Sequence, residues 1–375
     1  MPPQPVLARH ELVHRDGRRL FVYGPLRGDL GAEPPGRLDT SRIHQRYDAL
    51  TDTWIAVSPS RNTRPAESAA ESATGRAACP LCPGGPEVPF AYDAAVFENH
   101  FPTFVADPPP VTADPLIAPS LGRCEVVLYT GRHEGSLATL RPDELAGVMA
   151  IWVDRTAELW SDPRHAFVMA FENRGAAVGA TLAHPHGQIY AFDRVPPLIA
   201  QRVAALDRHR HDTGRCLTCD VIARDLSQPD RVIEQCEGFV VAVPFAPRWP
   251  YEVHIRSRRH GAGRLSDLDE KELIALSAAL RAMAERYQRV LGSGSSSMMM
   301  MLEAPAEAPD WHLSFELLPP NRSRHATKIR ASVETAAGTF INDTIPEEIA
   351  GELRATDVPP RSELPIPRVE RRPVG

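Results

Sequence analysis

The segment 183–192, AHPHGQIYAF, places His184, His186 and Gln188 at every second position. On a strand, that spacing sends three polar side chains out from one face. Such a row suits the lining of a site better than the filling of a core. An isolated His-x-His is ordinarily a pair of hydrogen-bonded structural histidines. Here the neighbouring Gly179 and the Cys-x-x-Cys pairs, Cys79/Cys82 and Cys216/Cys219, favour chemistry. A neutral imidazole has an ordinary pKa of about 6.5, so at pH 7 it is available as a nucleophile without a separate base. In a chain with six cysteines and no disulfide framework, Cys-x-x-Cys reads first as metal binding or redox chemistry. The redox reading lacks the surrounding βαβ pattern.

The two halves of the chain overlay. Each starts at a Cys-x-x-Cys and then reaches an Arg-His pair, Arg132-His133 and Arg259-His260. Leucines follow 4, 7 and 12 residues after His133, and 5, 8 and 13 after His260. From the same histidines, 51 residues lead to His184 and 52 to His312, which preserves the one-residue insertion. The pattern predicts a duplicated unit. It carries Cys79, Cys82, His133 and His184 onto Cys216, Cys219, His260 and His312. At the positions of His186 and Gln188 the second unit has Ser314 and Glu316.

These residues need a scaffold, and the sequence predicts an α+β one. Two segments carry a helical stripe: 141–160, through Leu145, Val148, Met149, Trp152 and Leu159, and 269–291, through Leu273, Leu276, Leu280, Met283 and Tyr287. Between and around them lie short β-rich runs such as CEVVLYT, AFVMAFENR, HGQIYAF, FVVAVPF, VHIRS and HLSFELL. One long helix per unit among such runs predicts mostly antiparallel sheet. The expected organisation is an N-terminal arm (1–40), a first unit (41–195), a second unit (196–350) and a disordered, Pro-rich tail (351–375). The Ala/Ser-rich stretch 62–78 reads as a connection into the first Cys pair.

Composition excludes several classes. The 375 residues carry 42 basic and 48 acidic side chains, a net charge of −6, so no basic field suggests nucleic acid as a partner. The longest apolar run, 239–246, has eight residues and contains Pro244, far short of a membrane span. No secretory h-region opens the chain, which makes the cytoplasm the expected compartment. Only two lysines, Lys271 and Lys328, stand against 40 arginines, a bias that points to base composition rather than function.

ENHFPTF, ENRGAAVGATLAHPHGQIYAF, VPFAPRWPYEVH and TKIRASVETAAGTFINDT, in that order over about 44–350, resemble galactose-1-phosphate uridylyltransferase of the histidine-triad superfamily. The likeness is nearest to actinobacterial forms. The resemblance implies a duplicated histidine-triad-like fold and a ping-pong transfer of UMP from UDP-glucose to galactose 1-phosphate. It implies His186 as nucleophile and Gln188 as donor to a phosphate oxygen. Cys79, Cys82, His133 and His184 match the family's zinc ligands. Asn99, Asn173, Gly179 and Thr181 match its nucleotide contacts. Lys328 falls on a phosphate and Glu334 on hexose hydroxyls. A homodimer is implied too, with one subunit's substrate segment completing the other's site.

The chain also departs from that pattern. His100 replaces an acidic residue, and Ala180-Thr181-Leu182-Ala183 replaces Cys-Ser-Asn-Pro. Ile329, Ala331 and Val333 replace Phe, Val and Tyr. A second, iron-type metal site of some members is missing, because its positions fall on Val203, near Leu302, and on Ser314 and Glu316. From the repeat, Cys216, Cys219, His260 and His312 are expected to form a second zinc site instead. Two rival readings stand beside this one. The first is a related transferase for another nucleotide or sugar 1-phosphate, and the second is a zinc-stabilised nucleotide-binding protein without turnover.

Overall fold

The computed structural model describes residues 4–14, 16–30, 40–64, 79–359 and 363–373. Most of the connection expected over 62–78 lies outside these residues. In chain order, the first strands are β1 (Val6–Val13), β2 (Arg19–Tyr23), β3 (His44–Asp48), β4 (Thr53–Val57), β5 (Ala94–Glu98), β6 (Ile117–Pro119) and β7 (Gly122–Leu128). Helix α1 (Pro142–Trp160) then leads to β8 (Phe167–Arg174) and β9 (His186–Phe192). Helices α2 (Pro197–Thr213) and α3 (Leu217–Ser227) open the second half, before β10 (Val232–Cys236), β11 (Phe239–Ala242) and β12 (Val253–Ser257). Helix α4 (Glu270–Leu291), β13 (Ser297–Leu302), β14 (Ser314–Leu318), β15 (Asn321–Ser323) and β16 (Ala326–Thr327) follow. The short α5 (Ser332–Ala336), α6 (Pro346–Ala355) and β17 (Arg368–Arg372) end the chain.

Twelve strands form one sheet in the order β10-β11-β12-β14-β13-β8-β9-β7-β5-β2-β1-β17. The two units are the mirrored quartets β5-β7-β9-β8 and β11-β12-β14-β13, joined through the antiparallel pair β8–β13. A continuous register row crosses both: Val126, Gln188, Phe171, Met300, Glu316, His254. The units therefore share one sheet within the chain, joined edge to edge through β8 and β13.

The two predicted helices form where expected. Asp269 caps α4 by accepting from Glu272 N, while the Glu272 carboxylate accepts from Asp269 N, satisfying donors left open at a helix start. In α1, Pro142 opens the first turn and the Glu144 carboxylate accepts from Arg141 N. The apolar stripes of both helices pack on one sheet face against Val127, Val168, Ile189, Ile255 and Phe315. On the other face, the segment with Cys79 and Cys82 covers Leu20, Phe97 and Leu128, and α2 and α3 cover the second unit.

Three expectations need correction. The N-terminal arm is largely sheet: β1 and β2 pair with each other and with β5, and Leu20, Phe21, Val22 and Tyr23 are fully buried. The tail is not a disordered appendage. Within it Ile366 is core, Glu363 pairs with the buried Arg281, and β17 adds in parallel to β1. His184 precedes strand β9 rather than lying in it, so His186 and Gln188 share the strand face while His184 turns away.

Candidate active site and metal centres

His186 opens β9, a strand held on both sides by β7 and β8. The step into the strand is fixed by Tyr129 N donating to Pro185 O at 3.2 Å. His186 Nδ1 lies 2.8 Å from His184 O. A carbonyl only accepts, so Nδ1 carries the proton and Nε2 carries the lone pair. Behind the histidine, a Cβ on Gly187 would sit 2.3 Å from the Tyr129 hydroxyl and 3.0 Å from Phe171 O, so the backbone there is packed solid.

His186 faces a cavity of about 570 Å³ whose walls include Asn173, Thr181, His184, Arg174 and Ser295. The wall loop after β8 turns at Gly175 (φ +88°) and Gly179 (φ +74°), a conformation that residues with a Cβ rarely adopt. A Cβ on Gly175 would also meet Ser296 Oγ at 2.3 Å, so the second unit's α4–β13 loop presses directly on this wall. Beneath the cavity lies Glu172, whose carboxyl burial pushes up to about 7, against opposing contributions from Tyr129 and Arg174.

Cys79, Cys82, His133 and His184 offer ligand atoms that all lie within 4.8 Å of one another. Cys82 Sγ is 3.4 Å from His133 Nδ1 and 3.6 Å from His184 Nδ1. A zinc tetrahedron with arms of about 2.3 Å to sulfur and about 2.0 Å to nitrogen has ligand atoms roughly 3.5 Å apart, so the set fits a structural zinc. His184 Nε2 donates to Thr130 O at 2.9 Å, which presents Nδ1 to the centre. Cys216, Cys219, His260 and His312 converge in the same way: Sγ of Cys216 and Cys219 lie 3.5 and 3.4 Å from His312 Nε2, and Cys219 Sγ lies 3.8 Å from His260 Nδ1. Here the ring is reversed. His312 Nδ1 donates to Ser257 O at 2.8 Å and Nε2 faces the sulfurs.

The remaining expected residues are dispersed. Gln188 lies one same-face step beyond His186, in register with Phe171. Gly179 shapes the cavity's wall loop. Asn99 lines a separate cavity of about 340 Å³ with Arg123 and Cys124, and its Oδ1 accepts from Phe101 N. Burial and the nearby Arg18 keep His100 below its ordinary pKa, hence neutral. Lys328 and Glu334 are not brought to His186; they pair with each other at 2.8 Å on the segment after β14. Ile329, Val333 and Ile341 of that segment are exposed.

At the second unit's counterpart of Gln188, Glu316 is buried and ion-paired to Arg202 at 2.6 Å and Arg248 at 2.7 Å. Arg248 also holds Glu252, which accepts from His254. The two carboxylates are thereby neutralised by arginines. Sequence reasoning missed Arg174 and also Arg61, which donates to Thr103 Oγ1 and to the Tyr190 hydroxyl on the Gln188 face. No spacing signal marks either one, since both depend on tertiary approach.

Among the described residues, no helix is long and apolar enough to cross a membrane. A family profile described as galactose-1-phosphate uridyl transferase, N-terminal domain, matches residues 37–196. The galactose-1-phosphate uridylyltransferase of Thermotoga maritima is 36% identical over 321 residues, covering 84% of this chain and 98% of that protein. The one from Streptomyces lividans is 33% identical, covering 80% and 81%. A solved uridylyltransferase structure superposes with a TM-score of 0.74 at 29% identity, over 83% of this chain and 97% of that one. With this similarity running through both units, the chain belongs to the galactose-1-phosphate uridylyltransferase family.

Proposed function

We propose that this chain moves UMP from UDP-glucose to galactose 1-phosphate through a uridylyl group on His186, giving UDP-galactose and glucose 1-phosphate. His186 Nε2 attacks the α-phosphorus, the bond from phosphorus to the β-phosphate oxygen breaks, and glucose 1-phosphate leaves with that electron pair. The ring becomes cationic, and its Nδ1 proton stays on the hydrogen bond to His184 O. A phosphate oxygen of galactose 1-phosphate then attacks the same phosphorus and breaks the P–N bond, returning the neutral imidazole. The P–N bond keeps the transfer potential of the anhydride, so no energy source is needed between the two halves.

The observation that carries this reading is the 2.8 Å contact between His186 Nδ1 and His184 O, which directs the lone pair of Nε2 into the cavity. Gln188, on the same strand face as His186, donates to a non-bridging oxygen as negative charge builds. Asn173, Thr181 and Gly179 belong to the nucleotide side, and Asn99, in its separate cavity, is assigned to the nucleotide by the family pattern alone. Zinc held by Cys79, Cys82, His133 and His184 supplies a structural cross-link, because four protein ligands close its shell. A second zinc at Cys216, Cys219, His260 and His312 does the same in the second unit. Lys328 and Glu334, on a segment with exposed apolar residues, serve the site of a second copy in a homodimer.

Incubation with UDP-glucose labelled at the α-phosphate tests the reading: the protein retains acid-labile label, and galactose 1-phosphate discharges it. His186→Ala takes no label while keeping its fold and zinc. Substantial turnover in that variant would mean direct transfer between substrates and would remove the intermediate. Because His100 and Ala331 depart from the family pattern, the same assay run with other nucleotide sugars and sugar phosphates decides the competing specificity.

A further inference from the structure

Where the first unit has Gln188, the second has an ion-pair cluster, and the loop that this cluster shapes carries the segment with Lys328 and Glu334. That loop, 243–252 between β11 and β12, contains Pro244, Pro247 and Pro250, so it has few backbone donors with which to fix its own shape. Buried carboxylates fix it instead. Glu252 Oε2 accepts from Arg248 N at 2.6 Å and from Trp249 N at 3.1 Å. Its Oε1 accepts from Arg248 Nη2 at 2.9 Å and from His254 Nε2 at 2.7 Å. The same Arg248 Nη2 reaches Glu316 at 2.7 Å, and Arg202 of α2 holds the other oxygen of Glu316 at 2.6 Å.

The segment is fastened to that loop at three points. The Arg330 guanidinium lies 4.5 Å from the ring centres of both Trp249 and Phe340, which stacks the segment on the loop and closes it on itself. Asn342 Nδ2 donates to Pro247 O at 3.3 Å, and Thr344 Oγ1 donates to Pro250 O at 3.1 Å. Within the segment, Lys328 and Glu334 are held by each other and by Ile341, whose carbonyl accepts from Lys328 Nζ and whose N–H donates to Glu334 at 3.3 Å. We propose that the Glu316–Arg248–Glu252 cluster is the mount of this segment, so that Arg330 and Glu316 are positioning residues for the hexose 1-phosphate. The strand position that works on phosphate in the first unit then decides, in the second, where the sugar-binding segment stands.

The inference rests on the assignment of Lys328 and Glu334 to the hexose 1-phosphate, and Lys328→Ala tests that assignment by itself: it should raise KM for galactose 1-phosphate. The plain structural alternative is that the cluster and the stack only add stability. Such a role lowers the melting temperature and leaves KM alone. Arg330→Gln, which removes the cation from between the rings, should raise KM for galactose 1-phosphate about 5- to 20-fold, the range of two cation–π contacts. Label uptake at saturating UDP-glucose, and the affinity for UMP, which has no hexose, should change less than about twofold. Arg330→Lys should recover part of the loss. Glu316→Gln should raise the same KM about three- to tenfold, as one charge-assisted contact of the mount is lost. Hydrogen exchange followed by mass spectrometry should quicken over 328–345 in these variants and stay unchanged over β9.

A folded Arg330→Gln or Glu316→Gln with an unchanged KM for galactose 1-phosphate overturns the mount, as does a raised KM without faster exchange over 328–345. Should Glu316→Gln fail to fold, Glu316→Asp, which keeps the charge but shortens the reach to Arg248, carries the decision. An unchanged KM in Lys328→Ala would remove the assignment of the segment itself. A raised KM there, with none in the Arg330 and Glu316 variants, removes the mount alone.

Discussion

Phe171 on β8 stands directly opposite Met300 on β13, and each occupies the same place in its own unit. Phe171 is in register with Gln188, as Met300 is with Glu316. A two-fold axis therefore passes between these two side chains and relates the catalytic position of one unit to an ion-paired glutamate in the other.

Glu316 should matter for stability. Burial alone would raise its carboxyl, but His254, Arg202 and Arg248 outweigh that and hold it far below the carboxylate range; the same surroundings hold Glu252 at about 2. Glu316→Gln removes the buried carboxylate that pairs Arg202 and shares Arg248 with Glu252, and should cost about 3 kcal/mol near pH 7. Because the folded pKa values are depressed, the stabilisation is present above pH 4.5 and fades as pH falls toward 2. Denaturant titrations across this range should show the gap between wild type and variant closing. A constant gap would contradict the ion-pair account.

Metal analysis of the purified protein should find two zinc ions per chain. Cys216→Ser should reduce this to one and leave label uptake by His186 largely intact. Cys79→Ser should also remove one zinc, but lower label uptake by at least about tenfold, because the ligand His184 carries the carbonyl that orients His186. One zinc in the unmodified protein would leave the second set as a packed remnant of the duplication.

Glu172 predicts a pH effect of opposite sign. Its folded pKa of about 7 exceeds that of an unfolded glutamate, so the folded state binds the extra proton and stability falls as pH rises from about 4.5 through 7. Glu172→Gln removes this penalty. It should raise stability at pH 8 by up to about 2–3 kcal/mol relative to pH 5. Thermal melts at both pH values measure the difference, and equal shifts would place the carboxyl pKa in the ordinary range.

The C-terminal segment is bound by a buried pair. Arg281 Nε donates to Glu363 at 2.5 Å, and Arg281 Nη1 donates to Leu140 O, joining the tail to α4 and to the approach to α1. Both side chains are about 2% exposed, so Glu363→Ala strands a guanidinium and should cost about 3–5 kcal/mol. A melting temperature within about one degree of wild type would show that the tail adds nothing.

The parts legible in the sequence were those that repeat with a period. The stripes of α1 and α4 and the duplicated Cys and His spacings survive folding as read, and of the alternation His184, His186, Gln188 the last two members do. Helix α2 escaped because only Ile199 and Leu206 of it are buried, which is too little for a stripe. Strand β13 escaped because four consecutive methionines show no alternation. The N-terminal strands were hidden by charge. Arg9 and Arg18 are buried, yet each is paired, Arg9 to Asp154 and Glu158 and Arg18 to Asp16 and Glu87. The contact of Arg174 could not be read at all, because its partner Ser293 O lies in a loop more than a hundred residues away.

The parallel pairing of β17 with β1 also constrains how the protein is made. Val6 pairs with Arg368, so β1 leaves the ribosome more than 300 residues before the strand that covers its edge. Until then the outer edge of β1 presents open backbone donors and acceptors, the kind of edge that recruits foreign strands. The nascent chain therefore carries this open edge until β17 has emerged, and a truncation before Arg368 would leave it permanently open.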